Sequence, residues 1–169
     1  MRHLHLLRHA KSSWDDPALS DHDRPLAPRG RRAAERIASH LRLEGIVPEL
    51  VLCSSATRAR ETLEGIEPAL GDGPDVQIER GLYGVPEREL LDRLHAVPDT
   101  IDSVMLIGHN PSVQDLAVTL ARPGAALDTV ELKYPTGALA TLVFDGSWRE
   151  LAPGTAELRS FVRPKDLAD

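Results

Sequence analysis

Apolar positions along the chain change period repeatedly, from the short runs of strands to the three-and-four spacing of helices. Leu4, Leu6 and Leu7 make a short apolar run that predicts a strand over residues 3–8. Ala33, Ala34, Ile37, Ala38 and Leu41 then fall on one stripe, predicting a helix over 27–43. A second such step follows, with a strand over 49–53 and a helix over 56–70, although Gly65 and Pro68 weaken the second half of that helix. After a turn at Gly71-Asp72-Gly73-Pro74 come a short strand at 76–79, a helix at 87–97 marked by Leu90, Leu91, Leu94 and Val97, and a strand from Ser103 to Ile107. Asn110 suits an N-cap and Pro111 the first position of an amphipathic helix carrying Val113, Leu116, Ala117, Leu120 and Ala121, which Pro123-Gly124 should stop. Strands near 137–144 and 155–162 complete the pattern. Strands alternating with helices imply a layered α/β fold with a mostly parallel sheet, and the two consecutive final strands imply one antiparallel member.

A length of 169 residues fits one domain over 1–169, with 163–169 expected as a frayed tail. Apolar residues at 41% and charged residues at 27% lie near the globular averages of roughly 45–50% and 25%, so a packed core is available and disorder is not expected. The longest apolar runs, such as Val104-Met105-Leu106-Ile107, fall far below the roughly 18 residues of a membrane span. The apolar stretch at Leu4–Leu7 is broken by Arg8 too early for a secretory signal, and the lone Cys53 permits no intramolecular disulfide, which fits a reducing cytoplasm. A net charge of −6 sets the overall field against nucleic acid. Clustered arginines (Arg24, Arg29, Arg31, Arg32, Arg58, Arg60) therefore need local explanations, and for most of them solvated helix surface suffices.

Ligands of open α/β sheets bind beyond the carboxyl ends of the strands. Those positions hold Arg8-His9 after the first strand, Ser54-Ser55-Ala56-Thr57-Arg58 after the second, and Gly108-His109 after the strand at 103–107. Two histidines and two arginines thus converge on one edge. Arginine offers planar paired donors to phosphate oxygens, a neutral imidazole serves as nucleophile or donor, and the helix opened by Asn110-Pro111 adds its N-terminal dipole. Any one of these residues alone would more often be an exposed arginine or a hydrogen-bonded histidine; together they read as a dianion site.

Leu7-Arg8-His9-Ala10 resembles the Arg-His-Gly signature of the histidine phosphatase superfamily, with alanine in place of the glycine. Residues 55–62 resemble its Ser-Pro-x-x-Arg-Ala-x-x-Thr segment, and Gly108-His109-Asn110-Pro111 resembles its second-histidine motif. The short length and Asp23-Arg24-Pro25-Leu26 are similar to the SixA-type phosphohistidine phosphatase branch. The resemblance implies a phosphoglycerate mutase-like three-layer α/β sandwich with helices on both faces of the sheet. It implies a phosphatase in which His9 attacks phosphorus and forms a phosphohistidine, Arg8 and Arg58 neutralise the phosphoryl oxygens, and His109 donates to one of them. No metal or other cofactor is implied. The substrate is expected to be phosphohistidine on a protein or a small phosphorylated molecule; the oligomeric state stays open, with a monomer compatible with the sequence. Arg24 is carried over either as a further substrate donor or as a structural arginine holding the loop over the pocket. The family's general acid has no clear counterpart, since Glu79 is off by one residue and Glu87 opens a helix, where a carboxylate is a dipole partner.

Three rival readings use the same residues. Cys53 with Arg58 fails the spacing of a cysteine phosphatase, because Ala59 stands where the arginine is required. His3, His5 and His9 share strand parity and, with Asp15, Asp16, Asp21 or Asp23, could ligate a metal, but barrel metallohydrolases need roughly 250 residues. A non-catalytic phosphate-binding module would use the arginines without needing a histidine pair.

Overall fold

A computed structural model describes residues 1–168. Six strands form one sheet: β1 (Arg2–Arg8), β2 (Leu50–Ser54), β3 (Asp75–Glu79), β4 (Ser103–Gly108), β5 (Leu139–Phe144) and β6 (Glu157–Val162), in the order β3-β2-β4-β1-β5-β6. Strands β1 to β4 are mutually parallel, and β5 alone runs against both of its neighbours. The expected mostly parallel sheet with one antiparallel strand is therefore what forms.

Five helices cover the faces: α1 (Pro28–Glu44), α2 (Thr57–Leu70), α3 (Glu87–His95), α4 (Ser112–Leu120) and α5 (Ala125–Leu132). The alternation of the strands decides which face each residue serves. Leu7, Val51, Cys53, Met105 and Ile107 pack with Ile37 and Leu41 of α1 and with Leu63 and Ile66 of α2. Leu4, Leu6, Leu52, Val104 and Leu106 pack on the other face with Leu90, Leu94, Leu116, Leu120 and Val130 from α3, α4 and α5. Two apolar layers on a sheet buried on both sides give the three-layer sandwich.

Helix α2 runs through Gly65 and Pro68 to Leu70. The glycine is required by packing, since a Cβ there would stand 2.6 Å from the Ala34 Cβ of α1. Helix α4 ends before Pro123-Gly124 as expected, but the sequence pattern predicts no helix beyond it, where α5 forms. Gly124 precedes its first turn, and only Leu127 and Val130 are buried, too few to show a stripe. Helix α4 begins one residue later than expected, with Pro111 at the cap after a cis Asn110–Pro111 bond. In the C-terminal segment residues 164–166 form a 3₁₀ turn with an Arg163–Asp166 ion pair of 2.9 Å, and Asp169 lies outside the described residues.

Register places the site. Arg8 pairs with Gly108, and Cys53 with Ile107, so β1, β2 and β4 end level and deliver Arg8-His9, Ser54 and His109 to one edge.

Candidate active site

His9 leaves β1 with its backbone N–H on the Gly108 carbonyl (3.0 Å), and its ring is buried. Nδ1 lies 2.7 Å from the Ala10 carbonyl oxygen, which can only accept, so Nδ1 carries the proton and Nε2 is the basic nitrogen. Burial is the main reason that the ring pKa falls to about 3, with His109, Arg58 and Arg8 adding repulsion against the hydrogen bond to Ala10. His9 is therefore neutral at ordinary pH and holds a lone pair on Nε2.

The segment after His9 is tied to the start of α2. Thr62 Oγ1 accepts from the Ala10 N–H (3.0 Å) and donates to the Arg58 carbonyl (2.7 Å), so Arg58 and the loop after His9 share one anchor. Arg8 donates from Nη1 to the Tyr134 carbonyl (2.9 Å), which also accepts from Asn110 Nδ2 (3.1 Å). Tyr134 is buried and its hydroxyl bonds to the Leu6 carbonyl of β1. This tyrosine ties the two histidine-bearing segments together. Arg8 is pushed below its ordinary pKa by burial and then by Arg58, yet stays cationic.

The second histidine is buried, with its ring centroid 5.2 Å from that of His9. His109 Nε2 lies 2.8 Å from Ser54 Oγ, which accepts from the Ala56 N–H at 3.2 Å. The serine hydroxyl keeps its own proton to give, and where it donates to Nε2 the proton of a neutral His109 lies on Nδ1. Burial first, then Arg58, lowers the His109 pKa to about 4.

Three buried polar atoms have no hydrogen-bond partner among the described residues: Arg8 Nε, Arg58 Nε and His109 Nδ1. An orphaned buried donor costs about 1–3 kcal/mol, so three in one cluster, two of them on cations, form a set that the oxygens of an anion would satisfy.

The sequence offered Asp21 only as a possible metal ligand, not as the partner of Arg58. A loop over residues 11–27 folds back across the site, with Lys11 accepting from Ala27 and Ser12 bridging to Leu26. It sets Asp21 Oδ2 at 3.0 Å from Arg58 Nη2 and 2.6 Å from the Tyr83 hydroxyl, which donates to it. Arg58 Nη1 also donates to the Asp21 carbonyl at 2.6 Å. The Tyr83 hydrogen bond, followed by Arg58 and Arg24, draws the carboxyl pKa down to about 2 despite partial desolvation. Tyr83 also meets the edges of His22 and His109, so the loop, Tyr83 and His109 form one rim. Asp-x-x-Arg before Pro25 was the available signal; spacing alone does not say that this loop reaches Arg58.

The other sequence candidates lie elsewhere. Arg24 is buried, donates to the Ser13 carbonyl and to Asp21 Oδ1 (both 3.3 Å), and lies 3.4 Å from the Trp14 ring centroid, so its contacts hold the loop. Glu79 is held by both Arg93 nitrogens at 2.7 and 2.9 Å, and Glu87 accepts from Thr119 at 2.5 Å. His5 is turned to Thr141 Oγ1 (2.9 Å), and no group of three or more His, Cys, Asp or Glu among the described residues is arranged to hold a metal. Burial pushes the Cys53 thiol up to about 12, which leaves it protonated and unreactive.

Residues 4–95 match the family model of the histidine phosphatase superfamily, branch 1. The chain belongs to that superfamily. This histidine phosphatase is 38% identical over 165 residues to an uncharacterised protein of Mycobacterium tuberculosis, covering 94% of this chain and 100% of that one. Among solved structures it is similar to one assigned as the phosphohistidine phosphatase SixA of Nakamurella multipartitia, with 32% identity, a TM-score of 0.86 and 96% of each chain covered. It is also similar to a protein histidine phosphatase SixA complexed with tungstate, with 25% identity, a TM-score of 0.80, and 97% and 98% of the two chains covered. The chain is thus a phosphatase of the SixA-type branch. No helix among the described residues is long and apolar enough to cross a membrane.

Proposed function

We propose that this phosphatase removes the phosphoryl group from phosphohistidine of a protein, by way of a covalent phosphohistidine on His9. In the first step His9 Nε2 attacks phosphorus, the bond from phosphorus to the substrate imidazole nitrogen breaks, and that nitrogen keeps the electron pair. In the second step water attacks phosphorus, the bond to His9 Nε2 breaks, and phosphate leaves. Arg8, Arg58 and His109 Nδ1 bind the phosphoryl oxygens, and such prepositioned donors supply much of what phosphoryl transfer needs.

The observation that carries the substrate assignment is the state of the carboxylates. Asp21 stands at the rim with a pKa near 2, so it is ionised and cannot protonate an alkoxide at neutral pH. Glu79 and Glu87, the two carboxylates considered from sequence, are bound to Arg93 and Thr119. An alkoxide leaves poorly unprotonated, whereas a phosphohistidine ring takes up a proton near pH 6.5 and leaves as a neutral imidazole. The likeness to SixA-type phosphatases supports the same class of substrate.

The test compares kcat/KM for a phosphohistidine peptide, an aryl phosphate and phosphoserine. The expected order places phosphoserine last by about 10²-fold or more, the usual worth of a general acid. His9→Ala abolishes turnover, and rapid quench of the parent traps an acid-labile phosphoenzyme. Equal efficiency on phosphoserine, or label on a residue other than His9, overturns the reading.

A further inference from the structure

Six cationic side chains line one groove beside the catalytic pocket. Arg29, Arg32 and Arg36, spaced along one face of α1, line it together with Lys11, Arg163 and Lys165. The groove has a volume of about 340 Å³, and no acidic residue lines it. Lys11, Arg29, Arg32 and Lys165 are exposed. Asp166 already answers Arg163 at 2.9 Å, whereas the exposed cations Lys11, Arg29, Arg32 and Lys165 repel one another at a cost that an incoming anion relieves.

The groove and the catalytic residues share backbone. Lys11 follows His9 by two positions, and Gly137, next to the lining residue Thr136, donates its N–H to the carbonyls of Arg8 and His9 at 3.0 and 2.9 Å. From Arg29 to Arg36 the helix rises roughly 10 Å, the length of about three extended residues and too long for a single phosphate. Nucleic acid, with a phosphate every few ångströms along its length, is opposed by the net charge of −6 far more than a short acidic segment is.

We propose that this groove docks an acidic segment of the phosphorylated protein partner, its carboxylates received by Arg29 and Arg32 while the phosphoryl group enters the His9 pocket. The proposal rests on the phosphohistidine-protein reading above and adds what selects the partner. Small phosphate esters do not reach the groove, so it confers selectivity for proteins without changing the chemistry.

Two synthetic phosphohistidine peptides of equal length, one flanked by glutamates and one by lysines, test it at low and high salt, with an aryl phosphate as control. The parent enzyme prefers the glutamate-flanked peptide by about ten-fold or more at low salt, and the preference shrinks as salt screens it. In R29E/R32E the preference reverses toward the lysine-flanked peptide while aryl phosphate turnover is unchanged, a switch that misfolding cannot produce. Equal kcat/KM for the two peptides in the parent, or a preference that survives in R29E/R32E, overturns the docking assignment. If neither peptide is hydrolysed while the aryl phosphate is, the phosphohistidine reading fails, and anisotropy of a labelled unphosphorylated glutamate peptide reads the groove separately. Binding that is lost in R29E/R32E sustains the groove; binding unaffected by the reversal overturns it.

Discussion

Arg58 is claimed twice, and the competition defines how the site responds to anions. In the free protein its Nη2 donates to the Asp21 carboxylate, while its buried Nε has no partner. A dianion entering beside Arg8 meets both cations and also the negative charge of Asp21. Asp21→Asn removes that charge and loosens the alignment of Arg58, so the expected result is a split: vanadate inhibits several-fold more tightly while kcat falls. Inhibition and turnover measured on the same preparation check it, and a parallel fall in both would show that Asp21 serves only to hold the loop. Arg58→Ala, which removes a charge-stabilising group outright, should cost about 10²-fold or more in kcat/KM on an aryl phosphate. The residues legible in the sequence, Arg8, His9, Arg58 and His109, are those that directly follow strands or open a helix, where register alone brings them together. Asp21 and Tyr83 were not legible as residues of the phosphate site, because their roles arise from contacts across 37 and 62 positions that depend on how a loop folds back.

At the scale of elements, the approach of α1 to its neighbours fixes the segment that follows His9. A Cβ on Gly30 would stand 2.1 Å from the Lys11 carbonyl oxygen, a backbone atom two residues beyond His9 that also accepts from Ala27 at 2.9 Å. Gly30→Ala therefore has to move either the helix or the His9 loop, and the gain of about 1 kcal/mol in helix propensity does not offset that shift. Loss of stability by about 1–3 kcal/mol, the typical cost of overpacking, together with a fall in kcat, is expected in denaturant melts and steady-state assays. A stabilised, fully active Gly30→Ala protein would contradict the close approach. The same elements show what the pattern of the chain conveys. Strands β1, β2 and β4 were readable because their residues are apolar on both faces, whereas α5 was hidden because two buried residues do not make a stripe and Gly124 reads as a stop. Weak propensity at Gly65 and Pro68 likewise did not end α2, since packing against Ala34 outweighs it.

For the whole molecule, burying neutral histidines in and below the site makes stability depend on pH. His5, His9 and His109 have pKa values lowered to about 4, 3 and 4, each chiefly by burial. The unfolded chain takes up these protons near pH 6.5 and the folded chain does not until lower pH, so it is the unfolded state that acid favours. The stabilising contribution is complete above pH 6.5 and is lost as pH falls toward 4, by up to about 1.4 kcal/mol per pH unit for each histidine. Asp21 acts in a lower window: its carboxyl is depressed to about 2 from an ordinary 3.8, so its contribution is kept down to about pH 4 and lost below. The span from pH 6.5 to 4 therefore belongs to the histidines. His5 separates this effect from catalysis, because it lies within β1 with its ring on Thr141 and contributes nothing to the pocket. His5→Gln should flatten the fall of stability between pH 6.5 and 4 while kcat/KM on an aryl phosphate at pH 7 stays within two-fold or so of the parent. Denaturant melts at half-unit pH steps measure the slope, and an unchanged slope in His5→Gln would mean that His5 is protonated in the folded protein and that its burial does not set its charge.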